Sequence, residues 1–387
     1  MRSSALWIGT LRHHFHADFT AMWGAGRLRR EGRDPYFDAV FVDGVYFPRS
    51  QFPYGPLVSA LFQPLGRLDF ATARAVWLGL QIGALVALLF LGLESLPRAL
   101  LAAAVLVVVS PVIVFPLFAH LERGQIDLFV AAGAFASLVL WERGFGMAAG
   151  AMLLGAAVLK LPTVTLLLVP LAAGDAPVIL GAALAALLAA GAAWLIDGPE
   201  RIARYCRVVL PAFDRTGRLP PELYAHPTPA IPVQRWNGRD FHNAVFAACD
   251  ASLTRYVRQR WGYAAGTVLG AAGLLATFLA AGWAFTAAPT GDVRTLAWLA
   301  MVTAMLLFQP LTWLMSCVHL IVVGLRLEAI RDLGGSLAGT LAVCGLALVA
   351  LGDVFVPFLP RRIADKRPIL GLLALWLVLT VTLVTVR

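Results

Sequence analysis

Polar and ionisable residues interrupt the apolar part of this sequence, and two of these interruptions are candidates for chemistry. Lys160 lies deep in an apolar run, two residues before Pro162. Arg123, Gln125 and Asp127 lie at the boundary of another apolar run. An intramembrane lysine indicates function by default, and a phosphate is a suitable anionic partner for it, whereas charges at a span boundary are costly unless they lie at the interface or are functional. As structural alternatives, Lys160 would snorkel to a nearby membrane surface, and the boundary residues would anchor a helix end at the interface.

A polar, aromatic segment precedes the apolar runs, which fill the chain from about residue 71 onward. It contains Asp18, the sequence Asp34-Pro35-Tyr36 and the sequence Phe52-Pro53-Tyr54. Because this segment is too polar to cross a bilayer, we interpret it as part of an active site presented at the membrane surface. The structural alternatives are a loop residue or a helix N-cap for Asp18, and a turn initiated by Asp34 before its proline.

Composition places the chain among membrane proteins. Hydrophobic residues make up 60% and charged residues 14% of the 387 residues, and the mean hydropathy is +0.79. Soluble domains have roughly 45–50% apolar and about 25% charged residues. A net charge of +9 would suggest nucleic acid in a soluble chain, but here the arginines are spread through loops between apolar runs. We therefore expect lipid headgroups, phosphates or membrane topology to account for them, and no nucleic-acid partner.

The apolar runs predict an all-α, polytopic fold, because a bilayer core of about 30 Å requires roughly 20 apolar residues per helix. Residues 57–68 predict a further short or re-entrant helix, for a total of about ten to twelve membrane helices. The predicted spans are 72–93, 99–118, 126–141, 147–173, 177–196, 262–285, 294–309, 312–327, 335–357 and 368–386.

The fourth span is interrupted at Lys160 and Pro162, since proline removes a backbone donor and restricts the residue before it. The sequence leaves open whether this span crosses once or forms a hairpin of two half-helices. A hairpin would put the following four segments on one face of the membrane: the N-terminal loop, the 119–126 turn, the 197–260 loop and the 310–319 turn. A single crossing would move the 197–260 loop and the 310–319 turn to the opposite face.

We expect a single domain over residues 1–387. It comprises a first loop over 1–56, N-terminal helices over 57–196, a long loop over 197–260 and C-terminal helices over 261–387. Loops of that length are usually functional or disordered, and the aromatic content of this one favours an ordered loop on the membrane face. The four cysteines lack the spacing of metal ligands, so we expect neither a metal site nor a disulfide framework.

A series of short motifs extends over about residues 16–330. The motifs are Asp18-Phe19, Ala25-Gly26-Arg27, Gly32-Arg33-Asp34-Pro35-Tyr36, Pro53-Tyr54-Gly55-Pro56-Leu57, Pro64-Leu65, Trp77, Glu122-Arg123-Gly124-Gln125-Ile126-Asp127, Ala149-Gly150, Lys160-Leu161-Pro162-Thr163, and Pro310-Leu311-Thr312-Trp313 with His319. In order and spacing, this series resembles glycosyltransferase family 87, whose members have the GT-C fold.

The resemblance implies inverting transfer of a hexose, with mannose as the default, from a polyprenyl-phosphate donor to a glycolipid or glycan acceptor. The reaction would take place at the outer face of a bacterial plasma or inner membrane, where the 1–56 and 197–260 loops would lie. The lipid-linked sugar is a co-substrate, so no separate cofactor is expected, and membrane lipids are the remaining partners. Because similar enzymes carry a membrane helix directly before the aspartate, we expect an apolar stretch upstream of Asp18.

The resemblance also implies roles for individual residues. An acceptor hydroxyl needs a base, which we assign to Asp18, and a departing phosphate needs cations nearby, which suits Lys160. His319 is the second predicted catalytic residue, with a hydrogen-bonded interfacial histidine as the alternative. The predicted substrate-binding residues are Asp34, which rivals Asp18 as the base, together with Tyr36, Tyr54, Arg123, Gln125, Lys160 and Asn243.

Aromatic side chains would suit the apolar faces of a sugar ring. Tyr36, Phe52, Tyr54 and Trp236 are candidates, and packing at the interface is the alternative for each. A transporter or lipid flippase is the competing class of function, because it too would have broken helices and isolated charges inside its spans. Against it, the spans contain few acidic residues that could relay protons. A catalytically inactive membrane scaffold is the third possibility, and replacement of Asp18 would separate all three.

Overall fold

The computed structural model describes residues 17–38, 40–42, 45–47, 52–92, 115–212, 235–236, 239–240, 251–310, 312, 314–350 and 366–386. The α-helices in these ranges are α1 (Ala17–Arg30), α2 (Pro56–Leu61), α3 (Phe70–Gly92), α4 (Phe115–Arg123), α5 (Asp127–Glu142), α6 (Gly146–Leu159), α7 (Leu168–Ala172), α8 (Ala176–Arg204), α9 (Leu253–Trp261), α10 (Tyr263–Ala287), α11 (Gly291–Phe308), α12 (Leu320–Leu325), α13 (Leu327–Ala350) and α14 (Arg367–Thr385).

Shorter elements complete these ranges. Leu65–Arg67, Leu161–Leu167 and Leu314–His319 are 3₁₀-helices, and Tyr205–Val209 is one π-helical turn. Strands β1 (Val40–Val42) and β2 (Val45–Phe47) pair antiparallel, as do β3 (Arg235–Trp236) and β4 (Arg239–Asp240).

The predicted all-α, polytopic membrane fold is confirmed. Six helices in the described part of the chain are long and apolar enough to cross a membrane, namely α3, α8 with its continuation to Ala212, α10, α11, α13 and α14. Shorter apolar helices cover 146–159, 161–172 and 315–325. The total of ten to twelve stays a prediction, because most of the 99–118 span lies outside the described residues.

The break that the sequence predicts at Lys160 is present. Helix α6 ends at Leu159, and Lys160 has an extended backbone (φ −148°, ψ 104°) before the 3₁₀-helix begins. After the 3₁₀-helix the chain returns to the end of the molecule at which α6 begins. Two contacts show this: the Trp141 indole N–H donates to Asp175 Oδ2 (2.6 Å), and Gly146 packs against Pro177. These contacts favour the hairpin over the single crossing.

The ends of the helices meet at two faces of the molecule. The first, which we call the Asp18 face, contains the ion pairs of Asp18 with Arg123 and of Arg29 with Asp197, and the hydrogen bond from Lys160 to Ser316. The second, the Glu142 face, joins Glu142 to Arg326 (2.8 Å) and to Thr295, and Trp141 to Asp175. Helix α5 connects the two faces with its 16 residues, which span about 24 Å at 1.5 Å per residue.

The N-terminal segment differs from the loop predicted over 1–56, because its first described part is helix α1. Phe19, Met22 and Trp23 recur at helical spacing and are fully buried. They belong to an aromatic core with Trp77, whose ring stacks on Phe19 at 5.6 Å, and with Phe62. The charged residues of α1 therefore lie beside a buried aromatic face that fixes the helix against the membrane helices.

The long loop predicted over 197–260 is helical at both of its described ends. Helix α8 continues past Asp197 through a kink at Gly198, whose φ of 71° favours glycine. The buried carboxylate of Asp197 accepts hydrogen bonds from Arg29 (2.5 Å) and Arg201 (3.3 Å), which ties α1 to α8 at the kink. At the other end, helix α9 covers Leu253–Trp261.

Candidate active site

Asp18 lies in the first turn of α1, and its carboxylate faces the turn between α4 and α5. Arg123 donates to both carboxylate oxygens, from Nε to Oδ2 (2.5 Å) and from Nη2 to Oδ1 (2.6 Å). Gln125 Nε2 donates to Oδ2 as well (2.5 Å). Within the part of the chain that the structure describes, three of about four lone-pair sites on the carboxylate are thus used, and Oδ1 retains room for one more donor. The Asp18 side chain keeps 15% of its surface exposed, so an external hydroxyl can approach it.

Helix α3 holds the turn that carries Arg123 and Gln125. The Trp77 indole N–H donates to Gly124 O (2.8 Å), and Gln81 Nε2 donates to Gln125 O (2.7 Å). Gly124 has a φ of 69°, which lets the chain leave α4 and enter α5 within a few residues. Both bonds are buried, and they fix the backbone from which the two side chains reach Asp18.

Tyr54 supports the same carboxylate indirectly, through Gln125. Its hydroxyl donates to Gln125 Oε1 (3.0 Å), which orients the amide so that its NH₂ group points to Asp18. Burial raises the pKa of the Tyr54 hydroxyl well above its usual value, and the nearby charges of Asp127 and Asp18 act in the same direction. The phenol is therefore protonated at neutral pH and serves as a donor.

A second cluster forms where the chain breaks at Lys160. Lys160 Nζ donates to Asp127 Oδ1 (2.6 Å) and to Ser316 Oγ (3.0 Å). His319 Nε2 lies 3.4 Å from the same Asp127 oxygen. The Lys160 side chain is 21% exposed, whereas those of Asp127 and His319 are 0% and 3% exposed. The ammonium is therefore the member of this cluster that an external ligand would meet.

The two clusters are joined through five consecutive residues of one turn. Arg123 and Gln125 face Asp18, and Asp127 faces Lys160. His120 and Gln81 lie between them in the interior, with Gln81 Nε2 3.2 Å from His120 Nε2. The resulting site combines a partly exposed carboxylate with an arginine and a lysine. Such a set can accept a proton from one ligand group and neutralise an anion on another.

The other predicted residues lie nearby in supporting positions. Asp34 Oδ1 accepts from Tyr36 N (2.9 Å), which is the turn that the sequence offered as an alternative, and Asp34 Oδ2 accepts from Arg204 (3.1 Å). The Tyr36 hydroxyl donates to Tyr54 O (2.9 Å), and its ring is buried against Phe52. These aromatic rings form part of the core that backs Tyr54.

Sequence reasoning missed several members of the site. Asp127 was recognised only as a boundary charge, and Ser316, Gln81 and His120 were not singled out. The available signal was a polar side chain inside an apolar run, which Gln81 and His120 both give. Asn243, Trp313 and the Trp236 side chain lie outside the described residues, so their predicted roles stay predictions. Within the described ranges, no group of three or more His, Cys, Asp or Glu side chains has the arrangement of a metal site.

Comparison with known proteins bears on this site. The curated proteins and the solved structures compared with the chain gave no match. The family model described as glycosyltransferase family 87 matches residues 52–316. The matched range includes Arg123, Gln125, Asp127 and Lys160, begins after Asp18 and ends before His319. Because the match covers more than half of the chain, including the turn and the break that build the site, the chain belongs to glycosyltransferase family 87.

Proposed function

We propose that this membrane glycosyltransferase moves a hexose, mannose by default, from a polyprenyl phosphate to a glycolipid or glycan acceptor. The observation that carries the proposal is the joining of a partly exposed carboxylate, Asp18, to a lysine cluster through one turn of the chain. The reaction has one base and one anionic leaving group, and these are the two kinds of group that the site accommodates. We place the Asp18 face at the outer surface of a bacterial plasma or inner membrane.

The transfer follows a single displacement with inversion at the anomeric carbon. Asp18 takes the proton of the acceptor hydroxyl while the hydroxyl oxygen attacks that carbon. The bond between the carbon and the phosphate oxygen breaks, and the electron pair leaves with the polyprenyl phosphate. Lys160 has three N–H groups, of which Asp127 and Ser316 take two among the described residues, so the third can donate to a phosphate oxygen.

A lipid-linked donor suits the surroundings of Lys160. The ammonium emerges at a break between two apolar helical pieces, so its ligand must reach a position flanked by membrane helices. A polyprenyl chain can lie along apolar helices while its phosphate meets the charge, whereas a nucleotide sugar would bring further polar groups into the same surroundings. The transporter or flippase alternative is not favoured, because the family to which the chain belongs is one of glycosyltransferases.

Sugar transfer in membranes tests the proposal. Membranes that contain the intact chain or Asp18→Asn are supplied with radiolabelled polyprenyl-phosphate mannose, and label is followed into lipid and polymer fractions. We expect Asp18→Asn to lower the transfer rate by about 10²–10⁴-fold, the usual contribution of a general base. Asp332→Asn is the matched control, since that exposed carboxylate pairs with its neighbour Arg331.

Each outcome bears on a different part of the proposal. Full activity of Asp18→Asn would remove the base assignment. Efficient transfer from a nucleotide sugar would contradict the lipid donor. If mannose is not transferred but another hexose on the same lipid is, only the sugar changes. Movement of the intact polyprenyl-phosphate sugar across vesicles without transfer would establish the flippase alternative.

A further inference from the structure

We infer that Asp127 is a positioning residue that holds the Lys160 ammonium in place to receive the phosphate of the lipid donor. This inference rests on the proposed function, because it assigns the neighbour of Lys160 a part in binding the same donor. Asp127 begins helix α5, only two residues after Gln125, while Lys160 ends the first half of the hairpin. The contact between them therefore fixes the broken segment against the turn that faces Asp18.

The shape of the contact indicates orientation of the lysine. A single oxygen, Asp127 Oδ1, accepts a hydrogen bond from Lys160 Nζ (2.6 Å) and lies 3.4 Å from His319 Nε2. Ser316 Oγ accepts from the same ammonium at 3.0 Å. These two acceptors belong to different elements, and together they fix the directions of two N–H bonds of the ammonium. Because the ammonium is tetrahedral, the direction of the third N–H bond is then fixed as well. A lysine with four rotatable side-chain bonds has no fixed direction without such partners.

Stability alone is a poor explanation for this carboxylate. The Asp127 side chain is 0% exposed, and its Oδ2 has no hydrogen-bond partner in the part of the chain that the structure describes. Buried ion pairs seldom stabilise a protein more than apolar residues of the same size would, and an unpaired buried oxygen adds a cost. Because Asp127 is inaccessible while Lys160 is 21% exposed, Asp127 acts through the lysine and does not touch the donor itself.

A double-mutant cycle on ligand binding tests the inference. The full chain, purified in detergent or nanodiscs, is titrated with radiolabelled polyprenyl phosphate that carries no sugar, so that the identity of the hexose does not matter. The variants are Asp127→Asn, Lys160→Met and the double variant, with Asp332→Asn as the exposed control. Asparagine keeps the size of the side chain and can still accept a hydrogen bond, but it removes the charge that pins the ammonium.

We expect Asp127→Asn to weaken polyprenyl-phosphate binding by about tenfold, and to weaken it by less than about twofold once Lys160 is already methionine. Such strong coupling is what a residue acting through Lys160 produces. Equal losses in both backgrounds would show that Asp127 acts by another route and would overturn the inference, as would wild-type affinity in Asp127→Asn. The transfer assay should agree, with a larger effect on the KM for the donor than on kcat.

Ser316→Ala provides a second variant that leaves no buried charge unpaired. It removes the other acceptor of the ammonium, so a loss of about threefold in affinity, absent in the Lys160→Met background, is expected. Unchanged affinity in this variant would count against orientation by two acceptors. If the unaltered chain fails to bind polyprenyl phosphate, the lipid donor of the proposed function is wrong. Tight binding by the unaltered chain with additive losses in the variants would overturn the role of Asp127 alone.

Discussion

At the scale of single residues, the Asp18 carboxylate is held by more donors than a surface aspartate normally has. Arg123 and Gln125 together donate three hydrogen bonds to it, and Tyr54 orients the glutamine. This arrangement lets one carboxylate be both fixed and reachable, since rotation of its side chain would break charge-assisted bonds. The direction of the remaining lone pair on Oδ1 is thus set before any acceptor arrives.

Tyr54→Phe should lower the transfer rate by about three- to tenfold, because the loss of one hydrogen bond worth ~1 kcal/mol frees the Gln125 amide to rotate. If the amide group rotates by half a turn, its oxygen faces the Asp18 carboxylate, and the two acceptor oxygens repel each other. The measurement is kcat/KM for the lipid donor together with the melting temperature. Tyr256→Phe is the matched control, since that ring contacts Lys366 at 4.5 Å and lies on α9. Equal activity of the two variants would show that the Tyr54 hydroxyl does not help to position Asp18.

At the scale of elements, close packing of α6 and α8 keeps the hairpin in place. Gly150 on α6 and Gly181 on α8 lie at the contact, and a β-carbon at Gly150 would be 2.6 Å from Ala182 N. Small residues allow membrane helices to approach this closely, which is the means by which such helices associate without a hydrophobic driving force. The position of Lys160 at the end of α6 depends on this contact.

The helices and the break between them differ in how far the sequence predicts them. Apolar length alone predicted α3, α10 and α14 to within a few residues, and proline chemistry predicted the break at Lys160. The pairing of Lys160 with Asp127 was not predictable, because it requires the chain to reverse between residues that are far apart in sequence. Helix α1 was missed for a different reason: its charges suggested a loop, although Phe19 and Trp23 had the spacing of a buried helical face.

Gly150→Ala should lower the melting temperature and reduce transfer, because the added methyl group forces α6 away from α8. Overpacking of this kind costs about 1–3 kcal/mol, more than the roughly 1 kcal/mol that alanine gains over glycine in a helix. Gly155→Ala is the matched control on the same helix, since a β-carbon there meets nothing within 4 Å. Thermal unfolding of the two purified variants makes the comparison. Equal melting temperatures would mean that the contact does not stabilise the hairpin.

Across the whole molecule, the candidate catalytic residues lie on one face, and the contacts on the other face are structural. The Asp18 face holds the carboxylate, the lysine cluster and the Asp197 end of the 197–260 loop. The Glu142 face joins α5 to Arg326, Trp141 to Asp175 and α3 to Leu325. Helix α5 therefore carries a candidate catalytic contact at its start, from Asp127 to Lys160, and a structural contact at its end, from Glu142 to Arg326. Because the donor in the proposed function lies at the outer surface, orientation in the membrane decides whether the site can meet it.

Cysteine labelling in whole cells tests this orientation. In a background without the native cysteines, Glu31→Cys places a thiol at the exposed end of α1 on the Asp18 face, and Asp332→Cys places one beyond Arg326 on the Glu142 face. An impermeant maleimide should label Glu31→Cys in intact cells and Asp332→Cys only after the membrane is opened. The reverse pattern would put Asp18 on the cytoplasmic side, where nucleotide sugars are available, and would contradict an outer-face lipid donor. Labelling of both in intact cells would contradict the assignment of the two faces to opposite sides, because the length of α5 separates them by about 24 Å.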